Sequence, residues 1–218
     1  MAKRIAKELR RHAPFTALGT VTGIIIIAII IFGNVSPRIS YTIFYILHPV
    51  HVVLSAIVTT AMYLSYRKGK IWAAILIGYT GSIGIATLSD VIIPDLGSRY
   101  GNYNCDNASH VPPFMNTEEM PVIGVAAWKV VNFAALIGIA IGYWKHITRV
   151  PHSGHVLLST WASTIRFPGF WAANWTPLLP FVFLFLFLAV WIPCCTSDIV
   201  YPLLFIRKEQ ELSSQGDA

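Results

Sequence analysis

The 218-residue chain is 55% hydrophobic and only 12% charged, with a mean hydropathy of +0.61. An ordinary soluble domain carries about 25% charged residues, so a water-soluble globule is excluded. The formal net charge of +6 comes from basic residues set between apolar runs. With no basic patch interleaved with aromatics, it marks membrane topology and a lipid-bilayer partner, not a nucleic-acid footprint.

A bilayer is crossed by about 20 helical residues, and the apolar runs fall at 13–33, 41–66, 71–94, 121–144, 152–167 and 177–206. The first follows a basic leader, "MAKRIAKELRRH", and is too long for the apolar core of a cleaved signal. The fifth is the shortest and runs into "RFPGFWAANWTP". Six spans place twelve Lys and Arg on one side: five in the leader, Arg67, Lys68 and Lys70, Lys145 with Arg149, and Arg207 with Lys208. Three, namely Arg38, Arg99 and Arg166, fall on the other. Cytoplasmic loops accumulate Lys and Arg, so both termini are expected in the cytoplasm of a multi-pass integral membrane protein.

The second run contains "HPVHVVLSAIVTT" at 48–60, and 152–164 read "HSGHVLLSTWAST". The pairs His48/His152, His51/His155, Val52/Val156, Leu54/Leu158, Ser55/Ser159 and Thr60/Thr164 are identical. One run later, "SDVIIPDL" at 89–96 is echoed by "SDIVYPLL" at 197–204. The offsets, 104 and 108 residues, are close to half the chain. Tandem duplication of a three-helix unit explains both. An odd number of spans per unit makes the second copy enter from the opposite side, as in the inverted repeats of many transporters. The expected organisation is an all-α integral membrane fold of six transmembrane helices built as two inverted three-helix repeats. It comprises a basic cytoplasmic leader (1–12), a first repeat (13–96), an outer loop (97–120), a second repeat (121–206) and a cytoplasmic tail (207–218).

His48 and His51 share one helix face, being three apart. Counted from the basic inner ends at about 1.5 Å per residue, they reach a height similar to that of Asp90 on the next, antiparallel span. Pro49 suggests a kink or a helix start there. An outer cluster of His48, His51, Asp90 and Glu119 is therefore expected, with Glu118 and His110 near it. Inverted symmetry places an inner cluster of His152, His155 and Asp198, completed by His12 at the mouth of the first span. Cys194 and Cys195, within a turn of Asp198, are alternative soft ligands. Imidazole and carboxylate together suit a transition metal ion such as Zn, Fe or Mn. Ionisable groups inside spans are costly and usually functional, although histidines also hydrogen-bond between helices, relay protons or ligate haem.

The remaining polar residues read more plainly. Ser55, Thr59, Ser159 and Thr164 suit close helix packing. Gly19 with Gly23 and Gly138 with Gly142 form G-x-x-x-G pairs near the inner side, so the first and fourth spans are expected to pack together there. Lys129 either snorkels outward, pairs with Asp90 or a glutamate, or meets an anionic substrate. There is no H-E-x-x-H, no G-x-S-x-G and no phosphate-cradling glycine loop, and the three cysteines form no C-x-x-C.

The expected function is a divalent transition-metal transporter or exchanger, with two clusters as way stations and histidine protonation releasing the ion. A membrane-embedded metalloenzyme acting on a lipid-like substrate and a haem-b electron-transfer subunit are the alternatives. The chain is also compatible with homo-oligomeric assembly.

Overall fold

The computed structural model describes residues 2–66, 71–94, 96, 120–145, 149–166, 177, 179–202 and 205. Among these are six helices and no strand: α1 (Ala2–Phe32), α2 (Pro37–Tyr66), α3 (Ile71–Thr87), α4 (Met120–Lys145), α5 (Arg149–Arg166) and α6 (Leu179–Cys195). Helix α1 takes in the basic leader, whose Ala, Lys, Arg, Glu and Leu are strong helix formers. It ends at Gly33-Asn34, where Asn34 adopts φ 49° and the Gly33 and Val35 amides close onto the Ile29 and Ile30 carbonyls. Asn tolerates this left-handed conformation better than most residues. Pro37 then opens α2, where a missing N–H costs nothing. Pro49 lies inside α2, not at a helix start.

Helices α3 and α6 each run directly into a five-residue π-helical turn, Leu88–Ile92 and Thr196–Val200. The two turns hold Ser89-Asp90 and Ser197-Asp198, the polar core of the sequence echo. Such wide turns are rare and are found mostly at functional positions.

Side-chain contacts fix the helix directions. Gly19 faces Thr160 and Gly23 faces Thr164, so α1 and α5 run parallel. Gly138 faces Val53 and Ala56, and Gly142 faces Ile57 and Thr60, so α2 and α4 also run parallel. Phe44 packs on Ala162 and Ile165 while His51 meets His155, which makes α2 and α5 antiparallel. The two glycine pairs therefore do not bring α1 and α4 together as the sequence suggested. Each instead seats its own helix on one of the two similar stretches, 152–164 and 48–60. The physical reason is steric: the glycines make room for Thr160, Thr164, Ala56 and Thr60, and small residues on both helices permit a closer approach than glycines on one.

Among the described residues a buried polar group sits within an otherwise apolar core, and large apolar side chains also cover the outside. Asp90 and His155 are fully buried and His51 is 1% exposed, whereas Ile29 is 64% and Phe133 67% exposed. Smaller apolar clusters flank the polar centre, with Ile27, Ile30, Val182 and Leu186 between α1 and α6, and Val52, Ile83 and Val131 between α2, α3 and α4. Among the described residues, three stretches are long and apolar enough to cross a membrane: His12–Phe32, Thr42–Ser65 and Ile71–Ile92. An apolar exterior of this kind is the expected surface of a protein whose solvent is lipid. Lys129 lies exposed on α4, whereas Asp90 is fully buried and paired with His48 and His51.

Candidate metal centre

Helix α2 puts His48 and His51 on one face, and the π turn after α3 carries Asp90 to meet them. Asp90 Oδ2 accepts from Nδ1 of His48 at 2.9 Å and from Nδ1 of His51 at 2.7 Å. Its other oxygen, Oδ1, accepts from Ser89 Oγ at 2.8 Å and Ser159 Oγ at 2.7 Å. Ser163 donates to the Ser89 carbonyl at 3.0 Å and closes the floor of the group. A buried carboxylate needs this many donors, since an unpaired ion in such surroundings is prohibitively costly. Because an ionised carboxylate only accepts, each imidazole presents an Nδ1–H to it, which in a neutral ring leaves the lone pair on Nε2.

The His48 ring lies flat against Phe44, with centroids 5.5 Å apart, and Arg166 covers the Phe44 ring, also at 5.5 Å. His51 is stacked on His155 of α5, with centroids 5.6 Å apart and planes 11° from parallel. Cys194 of α6 completes this side, its Sγ 3.6 Å from Ser159 Oγ. Two sets of residues consequently have their ligand atoms within 4.8 Å of one another: His48, His51 and Asp90, and His51, His155 and Cys194. All five side chains are buried, and His51 belongs to both sets. These buried groups could hold a metal ion, since nitrogen, carboxylate oxygen and thiolate sulfur are all transition-metal ligands.

Of the residues singled out in the sequence, His48, His51 and Asp90 come together as one group. His155 does not sit at a separate inner depth; it lies beside His51. Inverted symmetry placed it in an inner cluster, but symmetry alone does not say how far the two copies of the stretch lie from each other, and here they are in contact. The register of α5 is set by Phe44 on Ala162 and Ile165. His12 is buried in α1 but belongs to neither set. The side chains of His152 and Asp198, and the whole of Glu118, Glu119 and His110, lie outside the described residues. Sequence reasoning assigned Ser159 to packing, yet it bridges Asp90 and Cys194. Its recurrence with the histidines was the available signal. Comparison with known proteins adds no family, since no protein-family model, no curated protein and no solved structure matches this chain.

Proposed function

We propose that this chain is a six-span membrane protein of two inverted three-helix repeats, with both termini cytoplasmic, that binds a divalent transition metal ion where the repeats meet and carries it across the bilayer. The observation that carries this reading is the stacking of His51 on His155, because the two residues are each other's counterparts in the duplicated stretch. A two-fold axis in the membrane plane that passed between α2 and α5 would bring such a pair of counterparts into contact on antiparallel helices. Inverted-repeat transporters place their substrate sites at such a junction, near mid-bilayer.

Further support comes from contacts that repeat with the sequence. Gly19 and Gly23 meet Thr160 and Thr164, while Gly138 and Gly142 meet Ala56 and Thr60, the counterparts of those threonines. Ser163 bonds to Ser89, and its counterpart Thr59 lies 3.5 Å from Ser197, the counterpart of Ser89. The test is zinc flux into vesicles carrying the full chain, with His51→Ala and His155→Ala made separately. Each variant should lose flux, and undiminished flux in both eliminates the reading.

The merging of the expected outer and inner groups around His51 favours one second reading, a membrane-embedded metalloenzyme with a single centre. A wild-type protein that retains one metal ion per chain but shows no flux would select it.

A further inference from the structure

Resting on the metal-binding reading above, we propose that the ion is held by His51, His155 and Cys194, and that Asp90 acts from behind the rings as a positioning carboxylate. The cargo would then be a thiophilic ion of the zinc and cadmium class, not an oxygen-seeking one such as manganese or magnesium.

The argument starts from the lone pairs of Asp90. A carboxylate oxygen offers about two acceptor positions, and both oxygens are already engaged, Oδ2 by two imidazole N–H groups and Oδ1 by two hydroxyls. An ion entering among His48, His51 and Asp90 would have to displace those hydrogens or push the atoms apart. Ligand atoms around a tetrahedral zinc lie about 3.4 Å from one another, given bonds of about 2.0–2.1 Å. The contacts of 2.7 and 2.9 Å to Oδ2 are shorter than that and are bridged by protons. Removing Asp90 from its donors would also leave buried N–H and O–H groups unsatisfied, which is expensive.

In the set of His51, His155 and Cys194 the chemistry reverses. With Nδ1–H given to Asp90, Nε2 is the nitrogen with a lone pair, the carboxylate–histidine–metal arrangement that fixes tautomer and ring orientation at many metal sites. His155 and Cys194 supply a second nitrogen and a sulfur, and one ligand atom from each of the three residues lies within 4.8 Å of the others; the ion is assigned to Nε2 of His51. Bonds of about 2.0–2.1 Å to nitrogen and 2.3 Å to sulfur require these atoms to close in by roughly an ångström, a side-chain adjustment. Cys194 binds as thiolate, its proton being released to solvent as the ion enters. Three protein ligands leave the fourth position open, which suits an ion that must be taken up and passed on. Cys194 is also the third residue of the group contributed by a different helix, so α2, α5 and α6 would be drawn together by the bound ion.

The experiment uses Co2+ as a spectroscopic probe of the purified full-length protein in micelles. One equivalent per chain should give tetrahedral d–d bands together with sulfur-to-cobalt charge-transfer absorption. Cys194→Ser should abolish the charge transfer, whereas a Cys105→Ser, Cys195→Ser double variant should keep it. Asp90→Asn should also keep the charge transfer while weakening affinity about 10–100-fold, the usual cost of losing an outer-shell partner. Stoichiometric Co2+ without a sulfur band in the wild-type protein overturns the proposal and leaves the His48–His51–Asp90 set as the site. A folded Asp90→Asn protein that has lost Co2+ altogether overturns the positioning role. Failure of Co2+, Zn2+ and Cd2+ to bind the wild-type protein at all overturns the metal reading itself.

Discussion

Two stretches of nearly the same wording, 48–60 and 152–164, lie side by side in the folded chain and are supported differently. In α2, His48 and His51 are both bound to Asp90, and the glycines of α4 press onto backbone: a Cβ on Gly142 would stand 2.7 Å from the Ile57 carbonyl oxygen. In α5, the glycines of α1 meet threonine side chains instead, and a Cβ on Gly23 would stand 2.7 Å from Thr164 Oγ1. Thr164 in turn donates to the Thr160 carbonyl at 2.6 Å. Among the described residues its counterpart Thr60 Oγ1 is buried without a hydrogen-bond partner. Similar sequence therefore produced one crossing that stops at main chain and another that stops at hydroxyls. Rigidity belongs to the α2–α4 crossing, while the α1–α5 crossing has a layer that can turn.

The sharpest way to break this comparison is Asp90→Ala, which strips the anchor from the α2 copy and leaves His48, His51, Ser89 and Ser159 without their shared acceptor. Loss of one partner from a buried charged network costs about 3–5 kcal/mol, and unfolding in micelles should read a loss of that order. Next comes the glycine pair. Gly142→Ala should cost about 1–3 kcal/mol, the penalty of over-packing against atoms that cannot retreat. Gly23→Ala should cost less, about 1 kcal/mol, because Thr164 can rotate at the expense of one hydrogen bond. Equal losses in the same unfolding assay would erase the distinction between the crossings. The smallest effects should come from the hydroxyls themselves. Thr164→Val should cost about 0.5–1 kcal/mol, and Thr60→Val should be neutral or slightly stabilising, since it removes an unsatisfied buried oxygen.

The sequence made a good part of this legible, for identifiable reasons. His48 and His51 sit one turn apart and Asp90 lies on the adjoining antiparallel helix, so simple rise-per-residue counting brought them to one height. The hairpin between α2 and α3 is short, and short hairpins leave little freedom in register. His155 was harder, because the register of α5 against α2 depends on Phe44 meeting Ala162 and Ile165, a long-range fit that no periodicity announces. Cys194 was visible as a soft ligand but not as a neighbour of His51 for the same reason. Glycine spacing announced close helix contacts correctly but not their partners, which were the small residues of the repeated stretch. The π turns left no trace in composition, and they decide where Ser89 and Asp90 point.

The apolar exterior around these buried helix contacts carries a thermodynamic consequence. When such a bundle comes apart within lipid, little apolar surface passes into water, and it is that transfer which gives soluble proteins their large unfolding heat capacity. The stability of this bundle should accordingly vary weakly and almost linearly with temperature, without the low-temperature decline of a water-driven core.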